Sequence, residues 1–401
     1  MAINVLVVSL LRQYGPTGVQ SHMQQVRTYL RGQGVPCEIV TPFSAPKLLF
    51  YPFMVLRILL APISPAAAVW WYRFWHGRAL RFAIRRKLPI GAPLIICAQC
   101  PVSAEIARRA RRSLEQKIVL TVHFNISQAD EWRDKGMIRD GDWLYRRIRL
   151  FEARVLPSVD AIVYVSKFMY ETIRSTIPAV QAVPHALVPN FVASGMAGRA
   201  PVSKFDLVSI GTLEPRKNQA YLIEIVAQLR RNGRNISLAI IGDGPEMARL
   251  QQLAVSLNVS DSVRLLGFRK DAVQHLRVSR AYIHSATLEN LPLSIIEAMA
   301  VGLPIFAPQV GGIPEMLNDG INGRFIPLED ASMAADIVLG TLDDPDRYAR
   351  MAAASRRIYA DRYSGDIVAA NLHAFLHRIA QPVIMAHRGA AAIGKASTGF
   401  R

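Results

Sequence analysis

The chain has 401 residues, more than a single domain usually holds, so two domains are expected. A composition of 51% hydrophobic residues with no low-complexity block excludes a disordered or fibrous chain. Forty-eight Lys and Arg against thirty Asp and Glu give a net charge of +18, which favours an anionic partner: nucleic acid, an acidic membrane surface or a phosphorylated small molecule.

The first stretch, "MAINVLVVSLLRQYG", lacks a basic opening region and reads as a first buried strand, Asn4 to Leu10, instead of a secretory leader. The turn after it, "YGPTGVQSHMQQV", places Gly15 and Gly18 before an amphipathic helix, where backbone N–H groups could approach an anion. It is not a Gly-x-Gly-x-x-Gly fingerprint. A second strand is expected over Cys37 to Thr41.

Next comes a strongly apolar passage, "KLLFYPFMVLRILLAPISPAAAVWWYRFWHGRALRFAIRRK". Its longest uncharged run, Ile58 to Tyr72, contains Pro62 and Pro65 and is shorter than the ~20 residues a bilayer span needs. Arg57 to Lys117 carries twelve basic residues against only Glu105 and Glu115. Residues from about 46 to 90 therefore read as a membrane-surface element with Trp70, Trp71, Trp75 and Arg side chains at the headgroup level. An ordinary core helix pair with a solvated basic face is the other reading.

Further strands are expected at Leu94 to Ala98, Ile118 to His123 and Ala161 to Ser166. Cys97 and Cys100 have no second pair or His cluster at zinc-ligand spacing, so they read as reduced thiols at a strand end in a cytosolic protein, and no metal site is expected. His123 ends its strand on the edge where a ligand would lie. The first domain is drawn at residues 1–195, and "MAGRAPVSK", Met196 to Lys204, reads as a linker.

The second half repeats the alternation, with strands at Phe205 to Ile210, Ser237 to Ile241, Val263 to Leu266, Ala281 to His284 and Pro304 to Ala307. Alternating strands and helices define an α/β chain of two doubly wound parallel sheets that face each other across a cleft. "GTLEPRKN" delivers Arg216 and Lys217 just after Gly211, two cations well placed for a diphosphate. In "LENLPLSIIEAMAVG", Asn290 is expected to cap a helix with Leu293 to Ala300 as its body. Eight steps at helical rise would put Glu289 and Glu297 about 12 Å apart along the axis. That is too far for an acid pair acting on one glycosidic bond, and it suits an extended ligand. Gly311 and Gly312 imply backbone in close approach to something. Residues 205–365 form the second domain, 366–383 a helix packing back on the first, and 384–401 a flexible tail.

Together "GTLEPRKN", "IIGDGP", the Glu289 to Glu297 stretch followed by "AMAVGLPI", and "VGGIPEMLNDGINGRFIP" resemble the retaining GT-B glycosyltransferases called family 4. The resemblance runs over essentially the whole chain. It implies two Rossmann-like domains, an N-terminal one for the acceptor and a C-terminal one for the nucleotide sugar, and hexosyl transfer with retention of configuration. By this likeness Lys217 and Arg216 hold the donor diphosphate, Glu289 meets donor sugar hydroxyls, and Glu297 meets the ribose. Asn290, Leu291 and Gly211 would complete the donor contacts, the Gly15 to Gly18 loop would close over the phosphates, and His123 would stand by the transferred sugar. His123, Glu289 and Lys217 are then the catalytic set, with no cofactor and no metal required.

Two departures stand out. The family commonly has Gly-Arg where this chain has Gly211 and Thr212, which leaves Arg216 as the substitute cation. It commonly has Asn-Gly-Val where Asn190 is followed by Phe191. The basic apolar element implies a lipid-linked saccharide or glycolipid acceptor, a cytoplasmic enzyme peripheral at the inner face of the cell membrane, and a role in bacterial exopolysaccharide, lipopolysaccharide or related assembly. No nucleic acid is expected, since no recognition motif with interleaved aromatics is present. A GT-B sugar-nucleotide epimerase and a non-catalytic nucleotide- or carbohydrate-binding module are the alternatives.

Overall fold

The structure is a computed structural model that describes residues 3–15, 17–88, 94–193 and 203–381. The tail 384–401 lies outside the described residues, as does the expected linker except for Ser203 and Lys204.

Twelve strands form two six-stranded sheets. In the first, β1 (Val5–Val8), β2 (Cys37–Val40), β3 (Leu94–Ala98), β4 (Gln116–Val122), β5 (Ala161–Tyr164) and β6 (His185–Leu187) lie in the order β2-β1-β3-β4-β5-β6. In the second, β7 (Phe205–Ile210), β8 (Leu238–Ile241), β9 (Val263–Leu265), β10 (Ser279–Ile283), β11 (Ile305–Ala307) and β12 (Gly323–Phe325) lie in the order β12-β11-β10-β7-β8-β9. Every pairing between these strands is parallel. Strands buried on both faces need unbroken apolar runs, and "LIICA" and "LAII" supply them. Each order reverses once, between β1 and β3 in the first sheet and between β7 and β10 in the second. Ligands of such sheets settle beyond the strand carboxyl ends at those reversals.

Leu94–Ala98 and Phe205–Ile210 stand as expected, the other expected strands are present with ends shifted by one or two residues, and β6 and β12 were not expected. Both are three-residue edge strands without an apolar run.

The chain passes between the halves twice. Val192 N–H donates to the Tyr363 carbonyl (3.3 Å), and Gly365 N–H donates to the Val192 carbonyl (2.9 Å). The last helix, Gly365–Ala380, then buries Val368, Leu372 and Phe375 among Met23, Leu30 and Val119 of the first half. Further on, the Glu315 carboxylate accepts from Lys167 N–H (2.9 Å) and Phe168 N–H (2.7 Å). It thereby satisfies the orphan donors at the start of the Lys167–Thr176 helix in the opposite half.

The apolar passage folds as a hairpin of two helices, Lys47–Leu60 and Pro65–Lys87. Pro65 opens the second, where its missing N–H costs nothing, and Ser64 caps it by accepting from Ala67 N–H. No helix among the described residues is long and apolar enough to cross a membrane. The second helix is partly core: Val69, Leu80 and Ile84 are fully buried. Its remaining surface and nearly all of the first helix stay outside, with Leu48 97% and Ile63 81% exposed and Leu49, Ile58, Leu59 and Trp70 also outward. The expectation for the tryptophans is corrected at two of three positions. Trp71 donates its indole N–H to the Phe53 carbonyl (2.6 Å) and Trp75 stacks on the Phe53 ring (centroids 4.1 Å apart), so both pin the hairpin together. Such rings pack more favourably against a partner than in water.

Candidate active site in the cleft

A cleft of about 1380 Å³ opens between the two sheets and is lined from both halves. From the first half it receives the residues beyond β1, β3 and β4, including Leu11, Gln99 and His123. From the second it receives Gly211, Gly242 and the segment Glu289 to Ser294. Gly15, Gly18, Arg216, Lys217, Leu291 and Glu297 all border it, so the residues expected to bind the donor or act on it reach one space.

The loop after β7 explains the position of the two cations. Pro215–Lys217 makes a single 3-10 turn, and Asn218 follows in the left-handed region (φ 52°), which Asn tolerates better than most residues. Ser285 Oγ donates to the Lys217 carbonyl (2.9 Å) and Thr287 N–H to the Arg216 carbonyl (3.0 Å), clamping this turn to the segment beyond β10. Across that clamp, the Lys217 ammonium pairs with Glu289 Oε1. Arg216 donates to the Leu288 carbonyl (2.6 Å) and lies 3.7 Å from Glu289 Oε2. His284 Nε2 stands 3.3 Å from Glu289 Oε1.

Glu289 is buried at 6% exposure. Burial alone would raise its pKa, but the Lys217 ammonium, the His284 hydrogen bond and Arg216 overcome that and hold the carboxyl well below its ordinary range. Burial lowers the His284 pKa, so the imidazole is neutral at pH 7. Two cations therefore face one carboxylate, and the cluster keeps a net positive charge toward the cleft.

The geometry of the Leu288–Gly302 stretch corrects two expectations. The helix is Leu293–Val301, with Pro292 at its N-cap and no side-chain cap. Asn290 does not cap it. Its Nδ2 donates across the cleft to the carbonyls of Phe124 (3.2 Å) and Val122 (3.4 Å), and its Oδ1 accepts from Ser166 Oγ. Residues 289–292 are not helical, so the 12 Å ruler along one axis does not apply. Without a capping side chain, the first N–H groups of the helix keep their hydrogen-bonding capacity toward the cleft. Glu297, one turn in, makes no hydrogen bond among the described residues, and burial pushes its carboxyl up to about 7.

The close approach expected at Gly311 and Gly312 is to protein backbone. Gly312 N–H donates to the Glu289 carbonyl (3.0 Å), and a Cβ on Gly311 (φ 55°) would overlap that same oxygen. The glycine pair thus holds Glu289 in place from behind. The Asn190–Phe191 departure is also absorbed: Asn190 Nδ2 donates to the Leu291 carbonyl (2.7 Å) and Phe191 is buried.

On the opposite wall, His123 Nε2 pairs with Gln99 Oε1 (2.9 Å) and its ring stands edge-on to His22 (centroids 4.5 Å apart). Burial, with the neighbouring His22, pushes the His123 pKa well down, so the ring is neutral and able to donate or accept. Gly15 and Gly18 flank the start of the Gly18–Gly32 helix, where Thr17 and Gln20 form a capping box. Sequence reasoning missed Gln99 and His284, which stand directly after β3 and β10. Their position at strand carboxyl ends was the available signal. It also missed Arg73, Glu131 and Lys135, which line the first-half wall and carry no local motif.

Solved structures share this architecture. A crystal structure of Anabaena HepE in complex with UDP and glucose superposes with a TM-score of 0.69 at 17% identity, over 93% of this chain and 99% of that one. Sucrose-phosphate synthase from Thermosynechococcus elongatus gives 0.72 at 16% identity, over 94% and 98%. Two parallel sheets with a cleft at their reversals define the GT-B fold. Residues 16–194 match the family described as Glycosyltransferase Family 4, and residues 197–358 match Glycosyl transferases group 1. The chain belongs to the GT-B glycosyltransferases of family 4. Phosphatidyl-myo-inositol mannosyltransferase of Mycolicibacterium smegmatis is 24% identical over 363 residues, 89% of either chain. Alpha-D-kanosaminyltransferase of Streptomyces kanamyceticus is 30% identical over 39% of this chain and 41% of its own length.

Proposed function

We propose that this glycosyltransferase moves a hexosyl group, with retention of configuration, from a nucleotide-sugar donor to a lipid-linked saccharide or glycolipid at an anionic membrane face. The observation that carries the reading is the convergence of Lys217 and Arg216 on Glu289 beside the uncapped Leu293–Val301 helix start. A diphosphate fits there because cations and free N–H groups face it together. Glu289, ionised and fixed by the Gly311–Gly312 turn, accepts from sugar hydroxyls, and Glu297, without a partner of its own, accepts from the ribose. The Gly15–Gly18 loop closes over the phosphates from the opposite wall. His123, neutral and oriented by Gln99, meets the transferred sugar.

In this scheme the bond from the anomeric carbon to the donor phosphate breaks while the acceptor oxygen bonds to the same face. The departing phosphate oxygen takes the acceptor proton. Lys217, Arg216 and the helix start stabilise the charge that grows on the phosphate, so the protein contributes electrostatics and positioning more than a base.

The exposed Leu48, Ile58, Leu59, Ile63 and Trp70 beside a strongly basic helix support the membrane assignment, with the protein peripheral at the cytoplasmic face. A relative named for phosphatidyl-inositol mannosylation supports a lipid acceptor. The test is incubation of the purified chain with nucleotide sugars and bacterial lipid extract, with lipid-bound sugar and its anomeric configuration read by NMR. An inverted linkage, or donor converted without acceptor as an epimerase would do, overturns the proposal.

A further inference from the structure

The helix Pro65–Lys87 has a face that neither the core nor the outer apolar surface uses. While Trp70 and Phe74 point outward, Tyr72 and Arg73 border the cleft. Arg73 is half-buried at the cleft, and its guanidinium makes few polar contacts with the described residues. Among the described residues it donates one long hydrogen bond to Gln128 Oε1 (3.4 Å) and lies over the Phe151 ring (5.1 Å to the centroid). A guanidinium partly withdrawn from water, with no carboxylate hydrogen-bonded to it among the described residues and its face turned to the cleft, is well placed to pair with an anion that enters there.

The nearby acids do not complete it. Burial pushes the Glu152 carboxyl up to about 8, its Oε2 lies 3.7 Å from the Arg149 guanidinium with no hydrogen-bond partner among the described residues, and its Oε1 accepts from Gln128 N–H (2.7 Å). Glu131, on the same wall, is pushed upward by burial too. Lys135 lines the cleft beyond Trp132, over whose ring its ammonium sits at 5.9 Å, and Trp132 packs edge-on against Tyr72 (5.8 Å). The wall beside the apolar hairpin is therefore cationic, and it lies in the half of the molecule opposite Lys217 and Arg216.

We propose that Arg73, assisted by Lys135, is an anion subsite that receives a phosphate group of a lipid acceptor, whose apolar chain lies along the exposed hairpin. This rests on the lipid-acceptor reading above and narrows it, from any glycolipid to one that carries phosphate next to the sugar-accepting end. The subsite would favour phosphate-bearing lipids over neutral glycolipids, which offer the half-buried guanidinium no charge to pair with.

The test uses the full chain and two short amphiphiles of equal chain length, decyl phosphate and decyl maltoside, titrated below their micelle concentrations by calorimetry. Arg73→Gln is expected to weaken decyl phosphate binding about tenfold or more and to leave decyl maltoside and UDP or GDP binding unchanged. Lys135→Gln, at an exposed position that tolerates replacement, is expected to weaken decyl phosphate about threefold and to flatten its salt dependence. Equal loss of both amphiphiles, unchanged decyl phosphate binding in Lys135→Gln and Arg73→Gln alike, or inorganic phosphate competing as tightly as decyl phosphate overturns it. Loss of nucleotide binding in Arg73→Gln would assign the residue to the donor and overturn it as well. Because the readout is binding, it can fail while sugar transfer to a neutral glycolipid is observed, which separates it from failure of the transferase reading.

Discussion

Glu297→Gln separates the energetic cost of a binding carboxylate from its use. Burial holds the Glu297 carboxyl at about 7 against an ordinary value of 4.5. Below the ordinary value the group is neutral folded or unfolded and contributes nothing to pH dependence. As pH rises through that value the unfolded chain ionises while the fold still holds the proton, so the wild type loses stability until about pH 7 and remains penalised above it. At about 1.4 kcal/mol per unit the shift corresponds to at most roughly 3.5 kcal/mol, and water in the open cleft reduces this to about 1–2 kcal/mol. Gln has no charge to desolvate. In scanning calorimetry the variant should match the wild type at pH 4.5 and melt roughly 3–6 °C higher at pH 8. Titration with UDP or GDP should show the opposite sign, an affinity at least about tenfold lower, because a charge-assisted bond to the ribose is gone. A stability difference that is equal at both pH values, or a variant that melts lower at pH 8, would refute the reasoning.

Other substitutions probe the remaining parts. Lys217→Met should lower kcat by about a hundredfold or more and also lower Tm, because Glu289 is left buried with its main partner removed. Adding Glu289→Gln should restore much of the Tm without restoring transfer, a pattern that radiolabel transfer and calorimetry read together. Glu315→Ala removes the acceptor for Lys167 and Phe168 N–H across the halves, so it should cost about 1 kcal/mol in denaturant titration and raise the radius of gyration in X-ray scattering. Gly311→Ala, at φ 55° against the Glu289 carbonyl, should cost about 2 kcal/mol or more and weaken nucleotide-sugar binding in calorimetry. Ile58→Glu with Ile63→Glu should abolish sedimentation with anionic liposomes at physiological salt while nucleotide binding stays intact, since both positions face outward.

What could be read in advance was whatever local chemistry decides. Runs such as Leu94–Ala98 and Phe205–Ile210 are strands because no other arrangement buries them, and their ends match the expectation residue for residue. That Lys217 and Arg216 reach the cleft was legible because the residues just after a strand that runs up to Gly211 stand at the carboxyl edge of the sheet. Asn290 was misread because its local preference for capping lost to three bonds reaching Val122, Phe124 and Ser166, more than a hundred residues away in sequence. The same distance hid the role of Gly311, which answers to the Glu289 backbone, and of Glu315, which caps a helix in the other half. The strand Gly323–Phe325 was invisible because "GRF" gains its conformation from its neighbour Ile305–Ala307 and not from its own side chains.

Asn290 also has a thermodynamic consequence. It is bonded to Glu289, so a residue that ties one half to the other and a residue that holds Lys217 share a single planar peptide link. Any hinge motion that draws Asn290 off the Phe124 carbonyl must drag the Glu289 backbone, and with it the Gly312 N–H that rests on the Glu289 carbonyl. A ligand that favours one placement of Glu289 would therefore bias the placement of Asn290 against Phe124, and any opening of the cleft would be linked reciprocally to the binding of that ligand.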